Sequence, residues 1–484
     1  TPTPTATPTP TPAPTVNISG QLMVGGVGLG GISVTLSGSA TATAITAPNG
    51  TYAFVGLSAG GNYTVTPASF IHIFAPLSRT FDNLSGNVTA DFVGSLVINP
   101  PVVQFETSTL SVSEGAVVAT VRVKRTGDTS GVTSVRYSTM PDAGVLRCDE
   151  KTGRASERCD YATTIGELRF APGETTKTFE VSLVNDAFME GSETVGLVLL
   201  NPAGASLGGA DAATLTVMDD DTTAPSTATN PIFSSNFFVR QQYLDFLSRE
   251  PEANEPWSGV LNRCPNVFNL DAQNASAGCD RLLVSQSFFG APEFRLKGLY
   301  AFIFYRVAFN RRPVYEEIIP DMKSLSGATA EEVYQKRAAY PLNFTSRSEF
   351  KGLYDALDNA AFVNTLLDRY GLQSITSPDP VNPEGGTKVV LTRADLINRL
   401  GTSGAQTLTR AQVLRAVVES DEVGTAEYNR AFVAMQYFGY LRRTPEEDGY
   451  QAWLRVINQD PNNIRIMVNG FMNSTEYRMR FGQP

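Results

Sequence analysis

Between residues 16 and 98, short runs of alternating apolar and polar residues are broken by Gly and Asn turns: VNISGQLMV, GISVTLSG, NGTYAFVGL, NYTVTPAS, RTFDNL and NVTADFVG. A period of two predicts half-buried strands, and turn signals at this spacing predict a β-sandwich. Residues 99–223 keep that period. After APSTATNP (224–231), a linker by composition, the pattern lengthens. Tyr243 and Leu247, Tyr305 and Phe309, and Tyr437 and Leu441 are each four apart, which places each pair on one helix face. The expected fold is multidomain: two consecutive all-β, Ig-like sandwiches followed by an all-α helical repeat domain. The expected boundaries are 1–15 (Thr/Pro-rich stalk), 16–98, 99–223, 224–235 (linker) and 236–484.

The last segment repeats itself. A head, Tyr-x3-Leu/Phe-x-Arg-x-Pro, occurs at Tyr243/Arg249/Pro251, Tyr305/Arg311/Pro313 and Tyr437/Arg443/Pro445. A tail with Ser or Ala near a Glu occurs at Glu293, Glu349, Glu422 and Glu476, spaced 56, 73 and 54 residues apart. Three heads and four tails imply four units, the third degenerate. Ser two residues before Glu reads as a helix N-cap, with the acid capping the helix or pairing with the head's Arg. Trp257 and Trp453 follow two of the heads. Stacked helical units of this kind present a surface rather than a single pocket.

Composition narrows the chemistry. The formal net charge is -10, with only 18% charged residues. An acidic chain lacks the Lys and Arg excess that displaces counterions from phosphate, so nucleic acid is not an expected partner. Residues 99–223 hold 18 acidic and 10 basic residues, whereas 224–484 are nearly balanced, with 28 and 27. The acid excess is therefore local and points to cations. No apolar stretch is long enough for a transmembrane helix. The chain opens TPTPTATPTPTPAPT without an initiator Met and reads as a processed or truncated product, its opening an extended stalk.

His72 is the single histidine, which removes imidazole-based triads, dyads and His-ligated metals. Alternation in Phe70–Phe74 puts it opposite Ile71 and Ile73, at a strand surface or bend. Gly26–Gly31 matches GxGxxG, but the strand-like Ile32–Leu36 follows where a dinucleotide site needs a helix, so it reads as a hairpin or bulge.

Four cysteines allow three pairings. Pairing within each domain, Cys148 with Cys159 and Cys264 with Cys279, closes short loops and leaves the domains independent. A zinc site built from all four cysteines would need CxxC-like knuckles, and none exist. Disulfides imply an oxidising, extracellular compartment. Sequons at Asn17, Asn49, Asn62, Asn83, Asn87, Asn274, Asn343 and Asn473 matter only where the source glycosylates secreted proteins.

The candidate site lies in the second domain. Asp219, Asp220 and Asp221 end a strand, Asp186 and Glu190 follow another, Asp160 follows Cys159, and Glu114 sits in Ser111–Gly115. Acids from separate strand-end loops can converge at one pole of a sandwich. Carboxylates and carbonyls there suit Ca2+, which takes 6–8 oxygen ligands.

Three resemblances follow from these strings. Residues 16–95 resemble a carboxypeptidase-regulatory or Cna-B type sandwich through Gly31–Gly38, Asn49–Leu57 and Asn62–Pro67. Residues 101–221 resemble a Calx-beta domain through Ser111–Gly115, Cys159–Tyr161, Phe170–Glu174, Glu190–Glu193, Leu200–Pro202 and Asp219–Asp221. That resemblance implies calcium ligands at Glu114, Asp160, Asp186, Glu190, Asp219, Asp220 and Asp221; Asn185 stands where calcium-binding members carry an acid. Residues 236–484 resemble a bacterial extracellular family of helical repeats of unknown function, distantly similar to phycobilisome linker domains. The expected function is non-enzymatic: a secreted or cell-surface subunit of an extracellular assembly (filament, sheath or surface layer) or an adhesin, with a calcium-binding spacer. Its expected partners are copies of itself, cell-surface components, or glycans. A carbohydrate-binding or accessory module of a larger secreted enzyme is the alternative. A glycosidase with paired carboxylates has no supporting motif.

Overall fold

The computed structural model describes residues 14–69, 71–96, 99–142, 147–221, 229–263, 281–291, 294–327, 329–401, 407–460 and 464–483. Most of the Thr/Pro stalk, part of the 224–235 linker, Glu293, and the expected Cys264–Cys279 pair lie outside them.

In the first sandwich, strand Thr15–Val24 turns Val16, Ile18 and Leu22 inward, as its period of two requires. It pairs antiparallel with Thr51–Ser58 and parallel with Phe92–Leu96, in a sheet that packs against a four-stranded partner sheet. The Gly-rich run forms a hairpin: Val27–Gly28 pairs back onto Met23–Val24, and Ser33–Gly38 is a strand. Phe74 is buried on the edge strand His72–Ala75, and His72 is buried beside it, its Nδ1 3.2 Å from the Ser69 hydroxyl. The strand-surface expectation for His72 is therefore corrected. Alternation separates it properly from Ile71 and Ile73, but those isoleucines are the pair that face solvent.

The second sandwich stacks a four-stranded sheet on a five-stranded one. Phe105, Phe170, Val121, Leu197 and Leu215 fill the space between them. Two registers matter for the site. Strand Thr109–Ser113 runs parallel to Ala212–Met218 with Ser113 opposite Met218, so Glu114 emerges beside Asp219–Asp221. Strand Glu193–Ala203 pairs Glu193 with Val217, which brings Glu190–Glu193 to the same end.

The C-terminal region is helical, and the repeats explain its local geometry. In each head the residue before the Arg adopts a left-handed conformation: Ser248 (φ 58°), Asn310 (φ 52°) and Arg442 (φ 45°). This reversal folds the Arg back over the Tyr that opens the head, at 4.9 Å for Arg249, 5.3 Å for Arg311 and 5.3 Å for Arg443. Arg311 then pairs with Glu349, and Arg443 with Glu476, so two heads clip onto the next tail. Ser420 and Ser474 cap helices as expected, accepting from Val423 and Tyr477 N–H. In the second tail the cap position falls on Arg347 instead, with no side-chain cap bond. The degenerate unit holds an element absent from the sequence expectation, a hairpin of Ser374–Pro378 and Lys388–Thr392. It occupies the long interval between Glu349 and Glu422, and Glu422 accepts the Thr376 N–H rather than an Arg. Trp257 and Trp453 are partly buried and pack on Phe288 and Phe471 at the edge of the helical core, rather than standing as exposed platforms. Among the described residues no helix is long and apolar enough to cross a membrane.

Candidate metal centre

Four loops carry the acids of the middle sandwich to one pole, and each is locally pinned. A turn whose N–H groups converge on the Ser156 carbonyl holds Asp160, and an isolated bridge between Tyr161 and Leu183 sets that turn beside Val184–Asp186. Cys148 is bonded to Cys159 next door, with a Cα–Cα separation of 5.7 Å. The Asp186 N–H donates to Glu114 (2.7 Å), while Asp186 itself accepts from the Phe188 N–H (2.7 Å). Asp219 accepts from the N–H groups of Glu190, Gly191 and Asp221, each at 2.7–2.8 Å.

The carboxylates fall into two groups. Glu114, Asp219 and Asp221 each offer an oxygen within 4.8 Å of the others, and so do Asp160, Glu190 and Glu193. Asp186 belongs to neither group, but its N–H is bonded to Glu114, and one member of each group, Glu114 and Asp160, pushes its pKa up. Glu114, Asp160, Asp186 and Glu193 are at least nine-tenths buried. Asp160 Oδ1, Asp186 Oδ2 and Asp221 Oδ2 are buried without any hydrogen-bond partner. Such atoms are costly to bury unless something else satisfies them. Asp220 Oδ2 accepts from the Ser113 hydroxyl (2.9 Å) and the Gly115 N–H (3.0 Å), and Asp220 belongs to neither group. Glu193 closes the Glu190–Glu193 string, yet sequence reasoning does not single it out. Its signal is the register that pairs it with Val217, which only the folded sheet supplies.

Protonation energetics show the strain of this arrangement. Burial pushes Glu114 up to about 8, with Asp160, Asp221 and Asp219 adding to the rise. Burial, then Asp160 and Asp186, pushes Glu190 up to about 11. Asp160 and Asp186 are raised well above the aspartate range by burial, and then by Glu193 and Glu114 respectively. Asp160 and Glu193 offer carboxylate oxygens within 4.8 Å of each other, a separation that two buried carboxylates hold at low cost only with a proton or cation between them. Oxygen-only donors, a surplus of negative charge and inward-facing unpartnered oxygens together fit a hard divalent cation, with Ca2+ the best match.

The sign of the resulting pH dependence follows. An acid whose folded pKa is raised stabilises the fold at low pH and loses that contribution as pH climbs through the folded value. Without calcium, the chain's denaturant midpoint is expected to fall between about pH 5 and pH 8, the Glu114 window. A calcium-free midpoint that rises across that window would contradict the buried, unpaired state of these acids.

Comparison with known proteins meets this geometry at the same place. Residues 98–221 match the family model of the Calx-beta domain. The sodium/calcium exchanger Calx of Drosophila melanogaster is 30% identical over 136 residues, 28% of this chain and 13% of that protein. Chitinase ChiA of Flavobacterium johnsoniae is 38% identical over 84 residues, 17% of this chain and 5% of that protein. The chain thus spans only a small part of these relatives. A solved apo form of the Calx CBD1 domain is similar at 29% identity and a TM-score of 0.22, covering 25% of this chain and 98% of that one.

A second concavity, about 520 Å³, lies in the helical domain and is lined by Arg306, Arg311, Arg312 and Arg430. Their charge is already matched. Arg306 and Arg430 share the buried Glu427, Arg311 holds Glu317 and Glu349, and Arg312 holds Glu447.

Proposed function

We propose that this chain is a non-enzymatic, extracellular structural protein whose Calx-beta domain binds Ca2+ through Glu114, Asp219 and Asp221 in one group and Asp160, Glu190 and Glu193 in the other, with Asp186 between. The carrying observation is the trio of buried, unpartnered carboxylate oxygens aimed into the acidic pole. Asp220 serves as a turn organiser. The disulfide beside the pole favours an oxidising compartment. The first and last domains following their respective resemblances, as spacer and helical surface module, is part of the same reading.

An assembly role is favoured by the first sandwich. Its edge strand His72–Ala75 and the neighbouring Phe92–Leu96 leave Ile73 and Val93 exposed on one sheet face. That sandwich also carries almost no charge to oppose association. The alternative, a module within a larger secreted enzyme, is favoured by the likeness to part of a chitinase. Light scattering on the intact chain, first in calcium and then in chelator, separates the two. A calcium-dependent mass of several chains supports assembly; a monomer under both conditions removes it.

A further inference from the structure

We infer that the C-terminal helical domain is part of the cation site: Arg240, Arg442 and Arg480 are positioning residues for the calcium-ligand loops, so metal binding and domain docking form one coupled equilibrium. This inference rests on the calcium reading above and goes beyond it.

The acidic pole of the sandwich is the end that meets the helices. Three of its four acid-bearing segments make main-chain hydrogen bonds with the helical domain. The turn holding Asp160 is gripped on both sides. Arg442 Nη1 donates to the carbonyls of Glu157 (2.6 Å) and Tyr161 (3.0 Å), and Arg480 Nε donates to that of Arg158 (2.9 Å). The segment holding Asp186 is tied by the Ala187 N–H to the Phe481 carbonyl (3.0 Å). The turn after Glu114 is tied by Arg240, whose Nη2 reaches the Val117 carbonyl (3.0 Å) and whose Nη1 reaches that of Leu183 (2.8 Å). Arg158 returns the contact, donating to the Leu441 carbonyl (3.2 Å) and to Glu476 (2.6 Å).

Apolar packing joins the same two bodies. Val184 of the sandwich is buried in the helical core, and Met479 packs on Phe188 and the Cys148–Cys159 disulfide. Asp160 and Asp186 each lie within two residues of a carbonyl or N–H held from across the interface. Their oxygens can therefore hold the geometry a cation needs only while the helical domain is docked. Thermodynamic linkage makes the relation reciprocal: whatever docking adds to calcium affinity, calcium adds to docking.

The test uses the full chain. Calorimetric titration with CaCl2 is expected to show about fivefold to tenfold weaker binding in Arg240→Ala and in Arg158→Ala, neither of which supplies a ligand, at the scale typical of site-to-site coupling. Both variants are first required to keep the wild-type far-ultraviolet circular dichroism in chelator, which reports the sandwiches as well as the helices and excludes simple misfolding. In the wild type, calcium is expected to slow amide exchange over residues 476–483 severalfold, and Asp186→Asn is expected to abolish that slowing. Binding that is unchanged within twofold in both variants, with exchange at 476–483 indifferent to calcium, overturns this inference and leaves the calcium reading standing. Absence of any calcium binding overturns both.

Discussion

Saturating calcium is expected to raise the unfolding midpoint of the middle sandwich by about 10 °C over a chelated sample at pH 7.5. A ligand at a hundred times its dissociation constant stabilises by about 2.7 kcal/mol per site. For a domain of this size each kcal/mol shifts the midpoint by roughly 4 °C. The gain should be large because the calcium-free state is self-opposed: Glu114 and Glu190 are pushed to about 8 and about 11 by burial and by their neighbours. A cation relieves that opposition and forces the acids to ionise, so binding at neutral pH should also release protons. Scanning calorimetry suits the measurement, because both tryptophans lie in the helical domain and fluorescence would follow the wrong body. Asp186→Asn sharpens the test through opposite signs. Without calcium it removes an acid whose ionisation burial already opposes, and should leave the midpoint unchanged or higher; with calcium the gain should largely disappear. An equal calcium gain in wild type and variant would remove Asp186 from the site, and no gain in either would remove the site.

The pole is legible in the sequence because acids at strand ends announce themselves by position, and the period of two fixes which ends are shared. A count of acids cannot separate a ligand from a turn former. Asp219 and Asp220 stand side by side and both accept loop hydrogen bonds, Asp219 from Glu190, Gly191 and Asp221 and Asp220 from Ser113 and Gly115, yet of the two Asp219 has the place in a cation-sized group. That difference is set by register across the sheet, which no local pattern carries. The repeat heads are legible for a similar reason: their left-handed turn and the Arg folded over Tyr are short-range geometry. The hairpin at Ser374–Thr392 is hidden because two five-residue runs look like any apolar patch in a helical region. The docking of sandwich on helices is hidden more deeply. Arg442 occupies the head position held by Ser248 and Asn310 in the other copies, and only folding shows that this exchange supplies the interface.

Asp245→Asn is expected to destabilise the helical domain by about 3–5 kcal/mol, the cost typical of breaking a buried ion group by removing one partner. The Asp245 side chain is fully buried and faces two guanidinium groups that are almost as deep. It accepts from Arg442 Nε at 3.0 Å and from Arg480 Nη1 and Nη2 at 3.0 and 3.1 Å. Asparagine keeps the shape but leaves two buried cations without the carboxylate that bridges them, held by carbonyl dipoles and, for Arg442, the more distant charge of Glu157. Denaturant unfolding followed by fluorescence of Trp257 and Trp453 reads this domain directly, and a loss below about 1 kcal/mol would refute the account. The contrasting variant replaces all three charges together: Asp245→Leu, Arg442→Met and Arg480→Met. An apolar trio of similar volume should recover most of the helical stability, because the desolvation cost disappears along with the attraction. It cannot recover the bonds to the carbonyls of Glu157, Arg158 and Tyr161, which need guanidinium donors. A triple variant with a well-folded helical domain and weakened calcium binding would therefore show that the buried charges are kept to hold the sandwich's metal loops, while a triple variant with full calcium affinity would assign them to the helical core alone.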